Sequence, residues 1–71
     1  MLNIGIIGLG YWAPNLLRNF INNKECQVKA LCDINISQLK KYKKTHPKLN
    51  FYTDYKKLIS SGGIDACVIA T

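Results

Sequence analysis

No apolar run in this chain approaches the roughly 18 residues that mark a membrane span. The amino terminus enters a strand-like segment at once, which leaves no room for a cleavable signal. The expectation is a soluble, cytoplasmic protein with no membrane partner. The three cysteines, Cys26, Cys32 and Cys67, form no C-x-x-C pair and have no histidine at metal-ligand spacing, so neither a metal nor a redox centre is expected. An odd number of thiols in such a chain agrees with a reduced state. Cys32 and Cys67 lie in strand-like runs, where a free thiol behaves as a small apolar residue. The single histidine, His46, stands directly before Pro47 and reads as a turn residue rather than a ligand. Length is scarce too, since 71 residues fall below the roughly 100–150 of a common domain. Only a modest core is possible.

Acidic side chains are also few: four, against ten lysines and arginines, for a formal charge of +6. Such a balance raises the question of a polyanionic partner. The lysines, however, cluster at Lys40, Lys41, Lys43, Lys44 and Lys48, with Lys56 and Lys57 nearby, mostly on what reads as the outer surface of a helix. No basic groove interleaved with aromatics and no recognition-helix pattern accompanies them, so the expected role is a solvated face, with no nucleic acid bound. At 48% hydrophobic and 20% charged residues, the composition is that of a folded globular chain.

What is present is a regular alternation. Asn3 to Gly8 is a nearly continuous apolar run ending in glycine, as expected of a strand covered on both faces in a parallel sheet. Leu16, Leu17, Phe20 and Ile21 then recur at helical spacing and predict one apolar stripe. Pro14 falls in the first turn of that helix, where a missing N–H costs nothing, and Asn22-Asn23 ends it. Val28 to Asp33 predicts a second strand. Ser37 is the expected N-cap of a second helix that turns Leu39 and Tyr42 inward and stops at Pro47. Leu49 to Thr53 predicts a brief third strand. Asp54 caps a short helix with Leu58 and Ile59 as its apolar contacts, and Ser61-Gly62-Gly63 breaks it. Ile64 to Ala70 is the last strand. The alternation predicts an α/β fold: a parallel Rossmann-type sheet of order 3-2-1-4 with helices on both faces. No helix follows the last strand, so residues 1–71 are expected to be the amino-terminal portion of a dinucleotide-binding domain, with further strands and a substrate domain missing.

The chemistry concentrates in Gly8-x-Gly10-x-x-Ala13, which fits the G-x-G-x-x-G/A fingerprint. Gly8 allows the tight turn out of the strand, because a Cβ would obstruct the backbone conformation needed there. Gly10 lets a pyrophosphate approach the main chain, and Ala13 keeps the helix close to the strand. Free N–H groups around Tyr11 and Trp12, helped by the helix dipole, would face the phosphates. The fingerprint alone is weak. Here it follows an apolar strand, opens an amphipathic helix and is joined by Asp33, twenty-five residues after Gly8 at the end of the next strand. That carboxylate can accept hydrogen bonds from a ribose 2′,3′-hydroxyl pair and would repel a 2′-phosphate, which favours NAD; NADP stays the alternative because lysines lie nearby. Trp12 has two readings that remain open: packing against a neighbouring loop or missing domain, or walling the cofactor on its nicotinamide side.

The run Ile4-Gly5-Ile6-Ile7-Gly8-Leu9-Gly10-Tyr11-Trp12, followed by Pro14-Asn15-Leu16-Leu17-Arg18-Asn19-Phe20, resembles the amino terminus of the Gfo/Idh/MocA oxidoreductases. Within that family it is similar to members acting on nucleotide sugars, whose turn often reads G-Y-W-G-P-N. Ala13 stands where those members have the second glycine of that turn. Cys32-Asp33, Thr53-Asp54-Tyr55, Leu58, and Asp65-Ala66 through Val68-Ile69-Ala70-Thr71 also fit the family pattern, so the resemblance spans essentially the whole chain. It implies a nicotinamide-dependent dehydrogenase of sugars or nucleotide sugars, a homo-oligomer at full length, in which Ala70 and Thr71 line the cofactor site. The family's catalytic lysine, in an E-K-P motif, and its histidine fall beyond Thr71. The resemblance therefore assigns no catalytic residue here and implies no turnover by these residues alone. Two rival classes remain: an S-adenosylmethionine-binding methyltransferase, which also uses a glycine-rich turn and an acidic strand end, and a non-catalytic nucleotide-binding module.

Overall fold

The computed structural model describes residues 1–70. The element order is β1 (Leu2–Ile7), α1 (Ala13–Ile21), β2 (Cys26–Cys32), α2 (Ile36–Thr45), β3 (Asn50–Tyr52), α3 (Tyr55–Ser60) and β4 (Ala66–Ile69). The strands form one sheet in the order β3-β2-β1-β4, and every neighbouring pair is parallel. This is the expected 3-2-1-4 Rossmann arrangement. Because the strands run the same way, their carboxyl ends, and the turns that follow them, gather along one edge of the sheet.

Alternation along β1 divides the core. Ile4 and Ile6 face α1 and α2, where they pack with Leu9, Ala13, Leu17, Val28, Leu31, Leu39 and Tyr42. On the opposite face Ala30 and Cys32 pack against Leu58 of α3, with Ile7, Tyr52 and Ile64 at the margin. Gly5 belongs to this second face. A Cβ on it would lie 2.8 Å from Leu58 Cδ2, so α3 sits where β1 presents no side chain. The β1–β2 register slips between Ile4 and Gly5, which leaves Lys29 as the unpaired residue of a bulge.

Several expectations are corrected. Helix α2 is capped by Asn35, not Ser37: Asn35 is extended (φ −89°, ψ 108°), and its side chain accepts the Ser37 N–H at 2.9 Å. Ser37 is thus the N2 residue whose N–H the cap satisfies. Ile21 does not complete the α1 stripe and is 49% exposed, because it lies at the helix end beside a shallow groove bounded by Leu17, Tyr42 and His46. Ile59 is likewise exposed. A six-residue helix has room for one residue directed at the sheet, and Leu58 takes that place. Strand β4, in contrast, leaves apolar surface uncovered, as an unfinished sheet would. Ala66, Cys67 and Ile69 are exposed, since β4 is an edge strand and α3 packs over the other three. Asp54 does cap α3, accepting the Lys56 N–H at 2.9 Å. The lysines of α2 and α3 all point to solvent. No helix among the described residues is long and apolar enough to cross a membrane.

Candidate cofactor site

The site is built where β1 ends. Gly8 adopts φ 95°, a positive value that L side chains rarely take. It still extends the sheet ladder, its N–H donating to the Cys32 carbonyl at 2.8 Å. Leu9 turns its side chain into the core at 2% exposure, and its N–H donates to Asp33 Oδ2 at 2.8 Å. The chain then rises through Gly10 to Trp12, and α1 begins at Ala13, whose N–H donates to the Gly10 carbonyl.

The start of α1 is left open. Its N-cap residue, Trp12, makes no side-chain capping bond, and no acidic residue occupies the first turn. Among the described residues, the N–H groups of Gly10, Tyr11 and Trp12 have no acceptor. An uncapped helix start with free N–H groups and the positive end of the dipole is an anion site. Gly10 leaves space for such an anion: a Cβ built there would meet no heavy atom within 4 Å.

Asp33 sits at the carboxyl end of β2, held by its N–H donating to the Tyr52 carbonyl at 3.1 Å. Its carboxylate accepts two backbone N–H groups, from Leu9 at Oδ2 and from Asn35 at Oδ1, both at 2.8 Å. Cys32, just before it, is buried. Desolvation, then the charges of Asp33 and Asp54, push its thiol above the ordinary value of 9.0 and keep it protonated at neutral pH.

These groups share one open cavity of about 640 Å³, within the usual range for small-molecule sites. Of the residues expected from the sequence, Gly8, Gly10, Tyr11, Trp12, Asp33 and Ala70 line it. Ala13 does not. It is fully buried in the core behind the turn, where it sets the approach of α1 to the sheet without facing the cavity. Thr71 lies outside the described residues. Tyr11 and Trp12 meet edge to face, ring centroids 5.2 Å apart, and both are largely exposed on the cavity rim.

Ile7, Leu9, Cys32, Ile34, Thr53 and Tyr55 also line the cavity, none of them expected there from the sequence. A usable signal was available. In a parallel sheet the residues just beyond each strand border the same crevice, and Ile34 and Thr53 are the next or next-but-one residues after β2 and β3. Ile34, at 90% exposure, is moreover a large apolar residue with nothing of its own chain to cover it. No group of three or more histidine, cysteine or acidic residues among the described residues could hold a metal ion.

Comparison with known proteins agrees with this geometry. Residues 2–71 match the family GFO_IDH_MocA, described as an oxidoreductase family with an NAD-binding Rossmann fold. Among solved structures, an oxidoreductase from Agrobacterium radiobacter in complex with NAD⁺, L-tartaric acid and magnesium superposes with a TM-score of 0.90 at 30% identity, over 99% of this chain and 20% of that one. Myo-inositol 2-dehydrogenase from Lactobacillus plantarum gives 0.86 at 31% identity, over 99% of this chain and 21% of that one. The WlbA dehydrogenase from Bordetella pertussis, in complex with NADH and UDP-GlcNAcA, shares the fold at 0.88 with 20% identity, over 99% and 21% of the two chains. The chain thus spans about a fifth of the length of these solved relatives. No curated protein matches it significantly.

Proposed function

The chain belongs to the Gfo/Idh/MocA oxidoreductase family and has its NAD-binding Rossmann fold, and on that premise we propose that it forms the cofactor-holding part of a nicotinamide-dependent dehydrogenase of sugars, polyols or nucleotide sugars. The observation that carries the assignment of the site is the meeting, in one cavity, of an uncapped helix start and a strand-end carboxylate. In this reading the Gly10, Tyr11 and Trp12 N–H groups hold the pyrophosphate, Asp33 accepts hydrogen bonds from the adenosine ribose hydroxyls, and Ala70 lines the site beyond the last strand. Bound NAD supplies the hydride acceptor; the residues of this chain bind and orient it. None of them is assigned proton transfer.

The preference for NAD over NADP rests on Asp33 and on what surrounds it. A carboxylate repels a 2′-phosphate, the next residue is the apolar Ile34, and no lysine or arginine lines the cavity among the described residues. The inositol dehydrogenase relative, at 31% identity, supports the polyol side of the substrate class. The Tyr11-Trp12 and Pro14-Asn15 pattern supports the nucleotide-sugar side. Cytoplasmic location, assembly into a homo-oligomer and the absence of nucleic-acid and membrane partners belong to the same proposal.

Calorimetric titration of the chain with NAD, NADP and S-adenosylmethionine tests it. Saturable heat with NAD, at least about tenfold tighter than with NADP (roughly 1.4 kcal/mol), is expected. Binding of S-adenosylmethionine alone would replace the dehydrogenase reading with the methyltransferase one.

A further inference from the structure

Resting on the cofactor reading above, we infer that Asp33 is a positioning residue for the phosphate half of the site, bracing the glycine turn independently of any contact with ribose. Its carboxylate joins two turns that are far apart in sequence, the one after β1 through the Leu9 N–H and the one after β2 through the Asn35 N–H. Leu9 is the residue between the two glycines. Its side chain is locked in the core, and the preceding N–H, that of Gly8, is spent on the Cys32 carbonyl. With Gly8 and Leu9 directing their N–H groups toward the end of β2, the next three N–H groups have no acceptor among the described residues.

The Leu9–Asp33 bond therefore orients the peptide between Gly8 and Leu9, on which the direction of the following N–H groups depends. Without it the part-buried Leu9 N–H would lose its acceptor, and the turn could relieve that only by rotating. The two roles of Asp33 are compatible. An ionised carboxylate offers about four lone-pair positions; two receive backbone N–H groups, and two remain for a hydroxyl pair. A residue that served ribose alone would have no need of the Leu9 bond.

The test compares the intact chain with its Asp33→Ser and Asp33→Asn variants in two measurements. Amide hydrogen exchange, followed by NMR without ligand, reads the brace directly. In Asp33→Ser, exchange at Leu9 is expected to accelerate at least about tenfold, as loss of one charged hydrogen bond would allow, while core amides such as Ile6 and Leu31 keep their rates. Asparagine has one acceptor oxygen, so Asp33→Asn should release only one of Leu9 and Asn35. The second measurement titrates 2′,3′-dideoxy-ADP, which keeps the pyrophosphate and lacks the ribose hydroxyls. Its affinity is expected to fall about three- to tenfold in Asp33→Ser, again the scale of one hydrogen bond. Unchanged dideoxy-ADP affinity, unchanged Leu9 exchange, or acceleration of all amides alike would each overturn the brace. Failure of the unsubstituted chain to bind either NAD or the analogue would instead reject the cofactor reading, and the exchange rates would still decide the brace.

Discussion

The two glycines of the β1–α1 turn are expected to fail in different ways when substituted. Gly10 has no positive φ, and a Cβ on it meets nothing within 4 Å. Gly10→Val should therefore fold as well as the unsubstituted chain. Removing a glycine at a compatible backbone angle stabilises by about 0.4–1 kcal/mol through the unfolded state, which is a rise of a few degrees for a domain near this size. The added side chain occupies the space left for an anion, however. Displacing a phosphate from one N–H forfeits a charged hydrogen bond of about 1.5–3 kcal/mol, or roughly 10- to 100-fold in NAD affinity. Gly8 is the converse. At φ 95° an alanine costs about 1–2 kcal/mol of backbone strain, so Gly8→Ala should lower the melting temperature by roughly 5–15 °C and weaken NAD binding as a consequence. Thermal denaturation followed by circular dichroism, paired with calorimetric NAD titration, measures both. The reasoning is refuted if Gly10→Val binds NAD as the unsubstituted chain does, or if it loses as much stability as Gly8→Ala.

Leu58 is the only fully buried contact that α3 makes with the sheet, so Leu58→Ala should cost about 2–5 kcal/mol in urea denaturation; a loss below about 1 kcal/mol would mean that α3 contributes little. Asn35→Ala should cost about 1 kcal/mol by removing the α2 cap, while Ser37→Ala stays within about 0.5 kcal/mol, and the reverse ranking would restore Ser37 as the cap. Exposed Cys67 should react with a thiol reagent in the native protein, whereas buried Cys32 should stay unmodified until the chain unfolds. Burial raises Cys32 above 9.0 and Tyr42 above 10.0. The unfolded chain then gives up these protons first, so stability is full below about pH 9 and declines as pH climbs toward the raised folded values. Denaturant midpoints at about pH 7 and about pH 10 measure this, and a midpoint that did not fall at the higher pH would contradict the sign.

The fold was legible because the hydrophobic pattern and the breakers agree. Runs ending at Gly8 and Asp33, the helix start at Pro14 and the stop at Pro47 each fix a boundary by local chemistry, and right-handed crossovers between parallel strands then leave little choice of order. The departures occur where local chemistry is ambiguous or where partners decide. Asn35 and Ser37 are both good capping residues. The choice between them depends on Asp33, which takes the Asn35 N–H and turns the chain two residues earlier. Ile21 and Ile59 are apolar at acceptable spacing but lie exposed at the carboxyl ends of their helices, which periodicity cannot show. Cys67 and Ile69 look like interior strand residues and are exposed because β4 is an edge.

Most residues expected at the site do line one cavity, but the hydrogen bonds that join them were not legible in the sequence. A fingerprint gives each position a single role, with Gly8 making the turn, Gly10 admitting the phosphate and Asp33 holding the ribose. The structure links these positions through the backbone. Leu9, a variable position of the fingerprint, donates its N–H to the very carboxylate expected to read the ribose. No spacing rule could reveal this, because the bond joins a main-chain group to a side chain 24 residues away, and any residue except proline supplies the same N–H. The spacing between glycine turn and strand-end acid thus has a physical reason beyond reaching both ends of a dinucleotide. It places an acceptor beside the turn, which takes the Leu9 N–H and ties the turn to the end of β2.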